Sequence, residues 1–67
     1  MITVCVTLAG KERKVEMAKD KTIEDLFAKL ELFPDAYIAI IGERPVPLTQ
    51  ILHDGDRLRI LKVASGG

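Results

Sequence analysis

One thiol, one imidazole, an Asp-Gly-Asp turn and a terminal Gly-Gly are the features of this 67-residue chain whose types could do chemistry. Cys5 stands between Val4 and Val6 in the stretch ITVCVTL, with no adjacent cation. A catalytic thiol needs a base in reach and a neighbour that lowers its pKa. The local sequence supplies neither, so Cys5 reads as a small, half-buried side chain. His53 lies in an acidic turn and reads as a solvated loop residue. Asp54, Gly55 and Asp56 form a fragment of a calcium loop, but the other ligands and the closing Glu are absent. Turn formation is the expected role of that triplet. A single Cys excludes an internal disulfide, and one Cys with one His cannot build a structural zinc site. We therefore assign no catalytic residue, no metal ligands and no bound cofactor.

Gly66 and Gly67 pose a different question. Glycine has the widest backbone freedom and the largest ordering cost, so a terminal pair adds nothing to a core. A carboxylate becomes a good electrophile once it is a mixed anhydride, such as an acyl-adenylate made with ATP. The terminal carboxyl is the one backbone carboxyl that can be activated in this way. Reaching another enzyme's site means threading a narrow channel where side chains would clash. Ser65, Gly66 and Gly67 fit as the tether, with Gly67 carrying the reacting carboxyl. The cost of ordering that tail must be met by contacts elsewhere on the fold.

Composition narrows the remaining classes. The chain is long enough for one domain, which buries only roughly 60% of its unfolded surface. With 48% hydrophobic residues, an unassisted core is plausible. Ten basic and ten acidic residues balance, and Trp is absent. No basic stripe or stacking platform for nucleic acid is present. No apolar run approaches a membrane span, and MITVCVTLAG lacks the pattern of a signal peptide. The lone thiol fits a reducing, cytoplasmic location. A domain this small lacks the surface to enclose a substrate pocket of several hundred cubic ångströms.

The elements follow from periodicity. Ile2, Val4, Val6 and Leu8 alternate with Thr3, Cys5 and Thr7, the pattern of a half-buried strand. Ala9-Gly10-Lys11 reads as a turn, and alternation through Lys14 to Met17 predicts a hairpin whose register is open. Ile23, Leu26, Phe27 and Leu30 then mark one face of a helix. Thr22 with Asp25 suits its N-cap, and Leu32-Phe33-Pro34 is expected to close it. Tyr37 to Ile41 reads as a strand apolar on both faces. Pro45 and Pro47 restrict the next piece to an edge or a loop. Thr49 to Leu52 reads as one helical turn. Arg57 to Val63 forms the last strand, with Leu58 and Ile60 on one face and Arg59, Leu61 and Val63 on the other. The result is a two-layer α+β domain over residues 1–63 and a flexible tail over 64–67.

If Ala39 and Ile41 face the helix, Ile38 and Ile40 face away. With Arg59, Leu61 and Val63 they would form an apolar patch with a basic rim near the tail. Such patches are often interaction sites.

The order of elements and the ending resemble the ubiquitin-like β-grasp superfamily. The stretch GERPVPLTQILHDGDRLRILKVASGG is similar to the thiamine and molybdopterin sulfur carriers and to the small archaeal ubiquitin-like modifiers. The residues that carry this are Val46-Pro47, the Asp54–Asp56 turn, the apolar last strand and Gly66-Gly67. The resemblance implies a mixed four- to five-stranded sheet packed on one helix, with the first and last strands parallel. It implies an E1-like partner that uses ATP and Mg to adenylate Gly67. A sulfur donor such as a cysteine desulfurase would then convert the adenylate to a thiocarboxylate, for delivery to a sulfur-accepting enzyme. Sulfur delivery to thiamine thiazole or to tRNA is the first expectation, protein modification the second and delivery to molybdopterin the third. In the modifier branch the activated carboxyl is instead joined to lysines of target proteins. Ile40, Arg59, Leu61 and Val63 are the expected docking residues for the activating enzyme. The chain is on this reading a monomeric co-substrate and not an enzyme. A passive interaction module is the competing class.

Overall fold

The computed structural model describes residues 1–63. Its elements are β1 (Ile2–Leu8), β2 (Lys11–Met17), α1 (Ile23–Lys29), β3 (Tyr37–Ile41), β4 (Arg44–Val46) and β5 (Arg57–Lys62). The strands form one five-stranded sheet in the order β2-β1-β5-β3-β4. β1 and β5 run parallel, and the other neighbours are antiparallel. Ile23, Leu26 and Phe27 of the helix are buried with Val4, Val6, Val15, Met17, Ala39, Leu58 and Ile60 of one sheet face. This is the mixed-sheet β-grasp arrangement. The expected flexible tail, residues 64–67, lies outside the described residues.

The hairpin register is settled by a two-residue turn. Leu8 pairs with Lys11, and both Ala9 (φ 53°) and Gly10 (φ 77°) occupy the left-handed region. Such turns match the twist of the flanking strands. Ala9 is a poor residue for that geometry, which is why the turn is weakly signalled.

The N-terminus of α1 follows the expected capping box. Thr22 Oγ1 accepts from Asp25 N–H at 3.3 Å, and Asp25 Oδ2 accepts from Thr22 N–H at 2.9 Å. The other end corrects the sequence expectation. The helix stops at Lys29, before Leu32-Phe33-Pro34. Glu31 adopts a left-handed φ of 59°. Its N–H donates to Ala28 O at 3.2 Å, and Leu32 N–H donates to Phe27 O at 2.8 Å. This pair of bonds is a Schellman closure. It ends the helix well before the proline can act.

A second correction concerns Thr49 to Leu52, which form no helical turn. Leu48-Thr49 is a turn, and Ile51 forms an isolated antiparallel bridge with Thr22. The first N–H groups of a helix lack partners within it. Here Ile23 N–H donates to Gln50 O and Glu24 N–H to Leu48 O, both at 3.0 Å. Leu52, buried in the core, donates to Lys21 O at 2.8 Å. The segment stays extended because its carbonyls cap the helix.

Candidate functional site

Alternation along β5 sends Leu58 and Ile60 into the core, each 1% exposed. Arg57, Arg59 and Leu61 therefore point to the opposite, outer sheet face. In β3, buried Ala39 sends Ile38 and Ile40 outward in the same way. The register sets Ile38 opposite Leu61 and Ile40 opposite Arg59. Thr7 of β1 flanks Arg59 on its other side. Residues opposite one another on a sheet face have neighbouring side chains. Ile38 (39% exposed) and Leu61 (44% exposed) thus form an apolar pair next to Ile40 and the Arg59 cation. Ile40 is half-buried. Val63, also half-buried, lies just past β5, and its N–H donates to Ala36 O at 2.8 Å. Of the expected patch, Ile38, Ile40, Arg59 and Leu61 thus share the outer face, and Val63 lies beyond the strand. Ser65, Gly66 and Gly67 lie outside the described residues.

Further along the same face, Cys5 is half-buried and paired in register with Arg57. Its Sγ donates to Glu12 Oε1 at 3.1 Å. That hydrogen bond raises the thiol pKa; partial burial and the Glu12 charge push the same way, against weaker pulls from Arg57 and Lys14. A thiol held in this way is a poor nucleophile at neutral pH. His53 is exposed, and among the described residues no hydrogen bond joins it to Cys5. A depression of about 480 Å³ lies beside Cys5, Glu12 and Arg57. It opens onto the sheet face and encloses nothing.

The Asp-Gly-Asp triplet splices β1 to β5. Asp54 Oδ1 accepts from Thr3 N–H at 2.9 Å, and Gly55 N–H donates to Thr3 O at 2.9 Å. Cys5 N–H donates to Asp56 O at 2.8 Å, and Asp56 Oδ2 accepts from His53 N–H at 2.8 Å. Gly55 supplies a φ of 86°. Both aspartates are thus engaged with backbone donors. Among the described residues, no group of three or more His, Cys, Asp or Glu is placed to hold a metal.

Phe33, expected with Leu32 and Pro34 to close the helix, is 76% exposed in the loop between α1 and β3. The early helix stop is what releases it.

Residues 1–64 match the family described as small archaeal modifier protein 2. The chain belongs to that family. Its members are ubiquitin-like small modifiers and not themselves enzymes, and they work with E1-like enzymes and protein targets in general. No curated protein matches the chain. Among solved structures, ubiquitin of Caldiarchaeum subterraneum is similar at TM-score 0.72 and 20% identity, with 98% of each chain covered. A designed protein based on ubiquitin is similar at TM-score 0.76 and 23% identity, covering 97% of this chain and 92% of the other. ATBAG1, solved in complex with HSP70, is similar at TM-score 0.74 and 7% identity. This modifier covers 40% of that chain, and 92% of its own length is matched. At these identities the structural likenesses establish the ubiquitin-like fold alone.

Proposed function

We propose that this protein is a modifier activated through the Gly67 carboxyl. The observation that carries the reading is the family match over residues 1–64 on a β-grasp fold, with Ser65-Gly66-Gly67 following it. The carboxylate attacks the α-phosphate of Mg-bound ATP in an E1-like enzyme, forming an acyl-adenylate and releasing pyrophosphate. A lysine amine of a target then attacks the acyl carbon, expels AMP, loses a proton and leaves an isopeptide bond. Ile40, Arg59, Leu61 and Val63 dock the activating enzyme. Their support is that Ile40, Arg59 and Leu61 share the outer face and Val63 stands where the tail begins.

The same adenylate has a second fate, supported by the resemblance of residues 42–67 to sulfur carriers. A persulfide on a donor such as a cysteine desulfurase displaces AMP. A second thiol cleaves the resulting acyl disulfide and leaves a thiocarboxylate. Sulfur then passes to thiamine thiazole or to tRNA.

Intact mass of the protein from its native cells separates these fates. Adducts that resolve into Gly67 joined to target lysines support the modifier. Replacement of one terminal oxygen by sulfur supports the carrier. Deletion of Gly67 should abolish ATP-dependent activation and leave the fold unchanged. Activation that survives the deletion rules out the proposed chemistry.

A further inference from the structure

Phe33 is a large apolar side chain left in solvent on a loop that is well held. At its N-terminal side, Leu32 packs against the core, and its N–H is bonded to Phe27 O at 2.8 Å. At its C-terminal side, Ala36 N–H donates to Phe33 O at 2.9 Å. The Ala36 carbonyl in turn accepts from Val63 N–H at 2.8 Å. Two backbone hydrogen bonds therefore connect Phe33 to the last described residue before the tail. The exposed ring sits on a fixed support beside the root of that tail.

The tail's length decides what can cover this ring. On the reading proposed above, on which this inference rests, Ala64 to Gly67 separate Val63 from the reacting carboxyl. Four extended residues span at most roughly 14 Å. An enzyme whose active site holds Gly67 must bring its surface within that distance of Val63. Within that reach of Val63 lie Leu61 and Ile38 on the outer sheet face and the loop carrying Phe33, joined to Val63 through Ala36. The exposed charges flanking Phe33 in sequence are acidic, Glu31 and Asp35, while the cation Lys62 stands beside Val63, opposite Tyr37. On the outer face the exposed charges include the cations Arg57 and Arg59.

We propose that Phe33 is a specificity contact for the activating enzyme. Its ring enters an apolar recess of that enzyme, rimmed by basic side chains. This contact lies off the sheet-face patch and acts with it, so that the root of the tail is gripped from two sides.

The test is ATP–pyrophosphate exchange catalysed by the activating enzyme from the same cells, with this chain as co-substrate. Phe33→Ala should leave the thermal midpoint near wild type and raise KM ~10–100-fold at unchanged kcat, the range of a buried aromatic anchor. Phe33→Leu should recover part of the loss. Ile51→Ala, at a 43% exposed position beside the helix N-terminus, should leave KM unchanged. A wild-type KM for Phe33→Ala overturns the proposal, and so does a fall in kcat alone. A chain lacking Gly67 separates the two levels. If it is activated as well as wild type, the reading of the tail fails, and the Phe33 contact fails with it. If only the Gly67 deletion abolishes exchange, the tail reading stands and the Phe33 contact is wrong.

Discussion

Glu31→Gly should stabilise the fold, and the reason can be worked from one dihedral. Glu31 holds φ at 59°. A residue with a β-carbon pays roughly 1–2 kcal/mol for the left-handed region. Glycine pays none of this, but its freer unfolded chain costs roughly 0.5–1 kcal/mol. The central values leave a gain of about 0.75 kcal/mol, within limits of about 0–1.5 kcal/mol. In a domain of this size the central gain raises the thermal midpoint by about 3–6 °C. Glu31 is exposed, and among the described residues its side chain makes no hydrogen bond or ion pair, so little is lost with it. Glu31→Ala is the control, because it removes the carboxylate and keeps the β-carbon. Thermal unfolding followed by far-UV circular dichroism at neutral pH compares the three chains. The expected order places Gly above wild type and Ala at or below it. A glycine variant no more stable than the alanine variant would refute the assignment of strain to this backbone.

Three further outcomes follow from the same structure. Phe27, fully buried, should cost about 3–5 kcal/mol when cut to Ala. That is comparable with the whole stability of such a domain, roughly 3–10 kcal/mol at typical values per residue, so loss of cooperative thermal unfolding is the readout. The Asp25 carboxyl is held below its ordinary pKa, first by the Thr22 backbone N–H and then by the Thr22 hydroxyl. Its stabilisation is therefore present above the unfolded carboxylate pKa and lost as pH falls through the lowered value. Thr22→Ala should cost about 1 kcal/mol at neutral pH, with a smaller difference from wild type once Asp25 is protonated; a constant difference in pH-dependent denaturant titrations would contradict this. Cys5 should alkylate more slowly than an unstructured peptide thiol at neutral pH, since Glu12 holds its proton. Glu12→Gln should speed that reaction; an unchanged rate would dismiss the Glu12 effect.

Local signals in the sequence carry well where the cause is local. Alternation through Ile2–Leu8 and Arg57–Lys62, and the stripe Ile23, Leu26, Phe27, give the right faces because side-chain direction follows strand or helix period. The outer position of Ile40, Arg59 and Leu61 comes from the same parity. What fails has a distant cause. Thr49 to Leu52 look helical, yet the Leu48 and Gln50 carbonyls serve the N-terminus of a helix formed more than twenty residues earlier in sequence. Leu32-Phe33-Pro34 reads as the helix stop, yet a non-glycine residue, Glu31, turns left-handed and ends the helix before it. Gly66 and Gly67 stand out by residue type alone, and fold-level physics has no handle on them.

The buried residues and the candidate contacts occupy different parts of the molecule, and that separation bears on how the protein can bind. Among the described residues, the eleven buried hydrophobic residues form one core cluster, while Ile38, Leu61 and Phe33 are exposed outside it. Exposed apolar groups on a small β-domain invite association through unpaired strand edges. Here both edges are guarded. β4 is three residues long and contains Pro45. β2 presents Lys11, Glu12, Arg13, Lys14 and Glu16, and Lys29 Nζ donates to the Glu16 carbonyl at 2.7 Å. Strand addition is disfavoured on either side. On the proposed function, recognition then falls to side chains on the outer face and near Val63. Substitutions there change binding with little penalty to the core, so a loss of activation in a normally folded variant reports on the interface itself.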